Sequence, residues 1–172
     1  MRLRSIILAA SLACAACATP YQTDGFSGGQ EPRWRDGAVL EVISGGNGYT
    51  SSSRLRRMTL LRAAEEAIKY DYRYFIELGS EDTGRSSTVD LPQTTTTTGS
   101  VTPNGNSLTY NSTTTTSVNS YDVYKPGENS TFRMFREPPP GMHPGQYYDA
   151  YEVFNQYGRR YIDNFEPLTP PA

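Results

Sequence analysis

Apolar residues recur along this chain in two rhythms, one with the period of a strand and one with the period of a helix. AVLEVIS (38–44) and YRYFIEL (72–78) mix alternation with Val, Ile, Tyr and Phe, the signature of strands. Between them Leu60, Leu61, Ala64, Ala67 and Ile68 fall at i, i+1, i+4, i+7 and i+8, which predicts a helix over Arg54–Tyr70 with one apolar face. Arg62–Glu66 and Glu65–Lys69 stand four apart on its outer side. The glycine-rich GGNGYTSSS turns the chain into that helix, with Ser53 as its expected cap. Ala64 and Ala67 are small enough for close approach to a sheet. The first half of the chain therefore predicts a β-α-β unit.

STFRMFRE (130–137) alternates as a further strand, with Phe132 and Met134 on one face and Arg133 and Phe135 on the other. After the proline-rich PPPGMHPG, Asp149 can cap a short helix in which Ala150, Val153, Phe154 and Tyr157 share a face and Gly158 is the expected stop. Together these segments predict an α+β fold: a small sheet, the β-α-β unit and a short C-terminal helix.

Residues 86–120 follow neither rhythm. SSTVDLPQTTTTTGSVTPNGNSLTYNSTTTTSVNS reads either as a polar linker or as a Thr/Ser/Asn-rich β-hairpin. Asn104-Gly105 is a favoured dipeptide for a two-residue hairpin turn, and the flanks mirror each other. Turning there pairs Thr96 with Thr113 and Thr95 with Thr114, and cross-strand threonines are favourable neighbours. Two strands are marginal alone, so the base of such a hairpin is expected to join the main sheet.

The chain opens on MRLRSIILAASLACAACATPYQ: two arginines, then an uncharged apolar run too short for a membrane-spanning helix of about 20 residues. This is the layout of an export signal. Cys14 and Cys17, the two cysteines of the chain, lie inside it, away from any redox or zinc context. Leu12-Ala13-Cys14-Ala15-Ala16-Cys17 resembles the lipobox of bacterial lipoproteins, which implies lipid attachment at Cys17, with Cys14 the weaker candidate. An ordinary cleaved signal is the alternative. Ala18 follows in place of a retaining Asp, so the resemblance implies the outer membrane. The expected organisation is a signal over 1–16, a polar tether over 17–37, one α+β domain over 38–166 that includes the hairpin or linker 86–120, and a tail over 167–172.

CATPYQ, GGNGYTSS, LLRAAEEAI, YFIEL, FRMF and YDAYEV together resemble a family of small proteobacterial outer-membrane lipoproteins of unknown function. The resemblance spans most of the mature chain and omits the Thr-rich middle. It implies a lipid-anchored, envelope-located α+β domain; the residue that carries over from it is Cys17, and no catalytic residue does.

Cleavage before Cys17 leaves 156 residues and moves the formal charge from −2 to −4, which excludes the basic footprint of a nucleic-acid binder. A single histidine, His143, and no thiol after lipidation leave no metal or cofactor motif. Gly46-x-Gly48-x-x-Ser51 approaches a dinucleotide fingerprint, but lacks its third glycine and a second nucleotide-binding half; a strand-to-helix turn explains it. Arg54, Arg56, Arg57 and Arg62 cluster in the first helical turns and are the candidate contacts for an anionic envelope partner; the plainer reading is a solvated charged face. Tyr147, Tyr148, Tyr151, Tyr157 and Tyr161 crowd the C-terminal region, where they suit either packing or contact with a protein or glycan. The expected function is a non-catalytic envelope lipoprotein, anchored by acyl chains in the outer-membrane bilayer and facing the periplasm, that binds or scaffolds an envelope protein or glycan. A glycan- or lipid-acting enzyme and a surface adhesive module are the alternatives.

Overall fold

The computed structural model describes residues 18–23, 25, 27–91, 94–105, 107–117 and 120–171. Cys14, Cys17 and the signal segment lie outside the described residues. The chain divides into two compact units, residues 1–85 with 124–172, and residues 86–123.

In the first unit the alternation of β2 (Val39–Gly45) turns Leu40, Val42 and Ser44 inward. β2 leads through the glycine loop into helix α1 (Ser52–Lys69), and β3 (Tyr74–Asp82) follows. The β-α-β unit is present but split: β8 (Gly127–Phe135) lies between β2 and β3 and is antiparallel to both. β1 (Gly29–Trp34) and β9 (Tyr148–Asp149) form the edges, giving the order β1-β2-β8-β3-β9. Helix α2 (Ala150–Tyr161) packs beside α1, which lies over β1, β2 and β8. The fold is α+β.

The core fills the space between helices and sheet with Leu40, Val42, Phe75, Phe132, Met134, Leu60, Ala63, Ala64, Ala67 and Val153. Phe75 meets Phe132 edge-on at 5.6 Å and stacks on Tyr148 at 5.1 Å, the offset geometries that aromatic quadrupoles favour. The buried arc of α1 is wider than its periodicity suggested, adding Leu55, Met58, Thr59 and Ala63, because sheet and α2 cover the helix from two sides. Ser51, not Ser53, caps it, accepting from the Arg54 amide at 3.2 Å. The expected i, i+4 pairs are replaced by Arg62–Glu65 and Lys69–Glu66, since Glu66 turns inward to accept from Trp34 Nε1 at 3.1 Å.

Three expected boundaries move. Residues 29–34, assigned to the tether, are a sheet strand with Gln30 fully buried, and Thr19 is fully buried as well. Polar composition concealed this: Thr19 enters the interior through hydrogen bonds of its hydroxyl, whereas the buried side-chain amide of Gln30 has no hydrogen-bond partner among the described residues. Helix α2 keeps its Asp149 cap but runs through Gly158 to Tyr161. Gly158 is a contact rather than a stop: a Cβ there would stand 2.3 Å from Phe165 Cε2. Beyond it, Asn155 exchanges two hydrogen bonds with the Leu168 backbone, so the domain extends into the expected tail.

The second unit holds β5 (Thr94–Asn104) and β6 (Ser107–Ser117), an antiparallel hairpin as the mirror symmetry predicted. Its register differs by two: Thr96 faces Thr115 and Thr97 faces Thr114, with the closing pair Asn104↔Ser107 and Gly105 in the turn at φ +62°. The turn therefore begins at Gly105, the residue that tolerates a left-handed first position, and a slip of two leaves every side chain on its face. Instead of joining the main sheet, β5 and β6 form a separate two-stranded sheet, and β4 (Arg85–Asp90) pairs with β7 (Ser120–Lys125) in another.

Candidate functional site

The four arginines of α1 leave the helix in three directions, and each finds a partner inside the first unit. Arg56 points toward the sheet, where Nη1 donates to Glu77 Oε1 at 2.7 Å, to Glu128 Oε1, and to Ser130 Oγ at 3.2 Å; Nη2 donates to Glu77 Oε2. These hydrogen bonds, Glu77's above all, raise the guanidinium's affinity for its proton against the opposing cost of burial. Arg54 and Arg57, three apart on one face, both meet Tyr161 of α2. Arg54 lies over its ring at 5.1 Å, and Arg57 Nε donates to its hydroxyl at 2.9 Å. Arg62 sits 4.8 Å over the Tyr21 ring and pairs with Glu65 at 2.9 Å. All four are half-buried, so the charged face expected to be solvated holds the N-terminal segment, α2 and the sheet to α1.

A β-bulge brings the Arg56 cluster together. β3 directs Phe75 and Glu77 toward the helix; the register shift between Glu77 and Gly79 then changes parity, so that Ser80 and Asp82 also face it, opposite Ser130 and Glu128. Leu78, the extra residue, is 54 % exposed. The result is a cleft of about 350 Å³ lined by Ser53, Leu55, Arg56, Ser80, Asp82 and Glu128 among others. Glu128 Oε1 also accepts from Ser130 Oγ at 2.7 Å. Asp82 accepts from the Tyr124 hydroxyl at 3.1 Å and from the Gly84 amide at 2.8 Å, and the Tyr124 phenol is raised above its ordinary value by that bond. Among the described residues no group of three or more His, Cys, Asp or Glu side chains converges to hold a metal ion. Chemically, the arrangement is one guanidinium held between two carboxylates at the edge of a polar cleft.

The glycine loop is filled by the chain itself. Thr19 inserts beneath it: its hydroxyl donates to Ser27 O at 2.8 Å and accepts from the Asn47 amide at 2.9 Å, while its own amide donates to Thr50 Oγ1 at 2.9 Å. Gly46 has no room for a side chain, since a Cβ would meet both Pro126 and Thr50 at 2.9 Å. Two residues on, the Tyr21 hydroxyl donates to Glu65, and burial first, then that carboxylate, pushes the phenol far above its ordinary value.

His143 is exposed in its loop. Of the tyrosine cluster, Tyr148 and Tyr157 pack on the core and Tyr147 meets Tyr74 edge-on at 5.3 Å. Tyr151 lines a groove with Arg73 and Arg136. Sequence reasoning passed over Thr19, Tyr21, Glu77 and Glu128. For Glu128 the signal existed, because alternation places it on the face of Phe132 and Met134; for Thr19 no local signal did. No family model, no curated protein and no solved structure matches this chain.

Proposed function

We propose that this protein is a non-catalytic lipoprotein of the bacterial cell envelope. Acyl chains on Cys17 anchor it to the outer membrane on the periplasmic side, and its α+β domain binds or scaffolds an envelope partner. The observation that carries the reading is the burial of Thr19, two residues beyond Cys17. At about 3.8 Å per residue, a lipidated cysteine there stands within roughly 8 Å of the domain's interior. A protein attached so closely has its orientation set by the anchor, with the 46–50 loop nearest the bilayer. Tyr49 in that loop is 76 % exposed, and an amphipathic ring suits the headgroup layer. The arginines of α1 serve internal cohesion in this reading, since each already has a partner.

The test is metabolic labelling with a fatty-acid probe, followed by membrane fractionation. Cys17→Ala abolishes labelling and releases the protein, while Cys14→Ala leaves both unchanged. Undiminished labelling of Cys17→Ala refutes the proposal.

One observation favours the enzyme reading: Asp82 and Glu128 are directly opposed across β3 and β8 at the cleft, the pairing that acid–base hydrolysis of a glycan uses. Against it, Glu128 is engaged by Arg56 and Ser130, and Asp82 by Tyr124. Turnover of envelope glycans that disappears in Asp82→Asn would restore it.

A further inference from the structure

The β5–β6 hairpin is a ribbon of two 11-residue strands, each about 36 Å long at the usual rise, and a two-stranded ribbon is marginal on its own. Its described side chains are exposed on both faces. From Leu91 to Tyr121 the sequence contains no Asp, Glu, Lys, Arg or His. The charges by which natural proteins blunt an exposed strand edge are therefore missing along its whole length.

The two edges of the ribbon are unequal. Asn104↔Ser107 closes a two-residue turn and is a hydrogen-bonded pair, so alternate pairs outward from it bond across the ribbon. The intervening residues direct their backbone groups away from it. On β5 these are Thr95, Thr97, Gly99, Val101 and Pro103; on β6 they are Leu108, Tyr110, Ser112, Thr114 and Thr116. Pro103 has no N–H to offer, so the outer edge of β5 is interrupted. The outer edge of β6 presents a donor and an acceptor at every outward position.

That edge is also complementary to itself. An antiparallel copy centred on Ser112 sets Tyr110 beside Thr114 of the second chain and Leu108 beside Thr116. These are aromatic or aliphatic residues against β-branched ones, the favourable cross-strand combinations. Leu108 and Tyr110, 75 % and 64 % exposed, gain cover in this way. With no charge on either copy, nothing electrostatic opposes like pairing with like.

We propose that β6 is a homodimerisation edge: two copies pair β6 to β6 about a two-fold axis at Ser112, giving a four-stranded antiparallel sheet ordered β5-β6-β6-β5. Pro103 leaves each outer β5 edge one donor short beside the turn, which disfavours further chains there relative to the β6 edge.

Two proline variants test this, placed at cross-strand partners whose side chains lie 3.2 Å apart. Thr114→Pro removes an outward N–H from β6 and Thr97→Pro removes one from β5; neither interrupts the ladder between the two strands. The full-length chain in a mild detergent is examined by sedimentation equilibrium over a concentration series, with amide hydrogen exchange alongside. The wild type and Thr97→Pro are expected to be dimers with slow exchange at Tyr110 and Ser112. Thr114→Pro should raise the dissociation constant at least about tenfold, as expected from losing a hydrogen bond and its neighbours. A monomeric wild type overturns the proposal, leaving the edge to a different partner. Equal dissociation of both variants, or of neither, overturns the assignment to β6.

Discussion

Thr19 and Thr50, 31 positions apart, bring their hydroxyl oxygens to 2.9 Å inside the turn that leads into α1. Both side chains are buried, and Thr50 Oγ1 stands 3.0 Å from Asn47 Oδ1 as well. This cluster attaches the first described residues of the chain to the strand-to-helix junction, and it defines the stability expected of the N-terminal segment.

Thr19→Val keeps the shape and removes the hydroxyl, leaving Ser27 O and the Asn47 amide without it. The expected cost is about 1–3 kcal/mol, the range for orphaning buried polar groups. Urea unfolding measures it. An unchanged midpoint would return residues 18–28 to the status of a tether.

Arg56→Met leaves Glu77 and Glu128 facing each other without their cation. The loss should be about 2–3 kcal/mol, below the range for a fully buried pair because Arg56 and Glu77 are 31 % and 22 % exposed. Adding Glu128→Gln to that variant should recover part of the loss. Strict additivity of the two substitutions in thermal unfolding would show that the residues do not act together.

Glu41 governs part of the acid limit. Burial alone would raise its carboxyl, but the hydrogen bonds from Asn129, at 3.1 Å, and from Arg35 outweigh that and hold it below the usual range. A folded value below the unfolded one adds stability above the ordinary glutamate range, near about pH 4.3, that disappears as the pH falls through the folded value. Glu41→Gln should flatten this part of the acid limb in denaturation curves from pH 5 downward, while lowering stability at neutral pH.

Tyr21 acts at the opposite end. Its phenol is raised in the folded state, so it adds stability that is complete below the ordinary tyrosine value, about pH 10, and declines as the pH climbs beyond it. Absorbance titration should show one tyrosine that ionises only with unfolding. Tyr21→Phe should remove that late step; its persistence would mean that a different phenol is responsible.

Gly158→Ala improves helix propensity by up to about 1 kcal/mol in principle, yet here it should destabilise by about 1–3 kcal/mol through overpacking on Phe165. Combining it with Phe165→Leu should relieve the clash. A stabilised single variant would mean that residues 164–168 do not lie on α2.

The elements that local rhythm specifies were legible in the chain: β2, α1, β3, β8 and the Asp149-capped α2 all appear, because burial on one face writes a period into neighbouring residues. Mirror symmetry likewise exposed the Thr hairpin. Tertiary structure alone decided how these pieces meet. β8 enters between β2 and β3 because the intervening residues return to the main sheet as an antiparallel neighbour, a choice of partner that no local period encodes. Thr19 and Glu66 go inside because their side-chain functions are satisfied by residues far away in sequence, so their polarity pointed outward while the packing drew them in. Gly158 looked like a terminator because glycine commonly ends helices; Phe165, seven residues later, made it a point of contact. The four arginines stood out in the sequence as a charged cluster, but their partners Glu77, Glu128, Tyr21 and Tyr161 become neighbours only when sheet, helices and N-terminal segment close around α1.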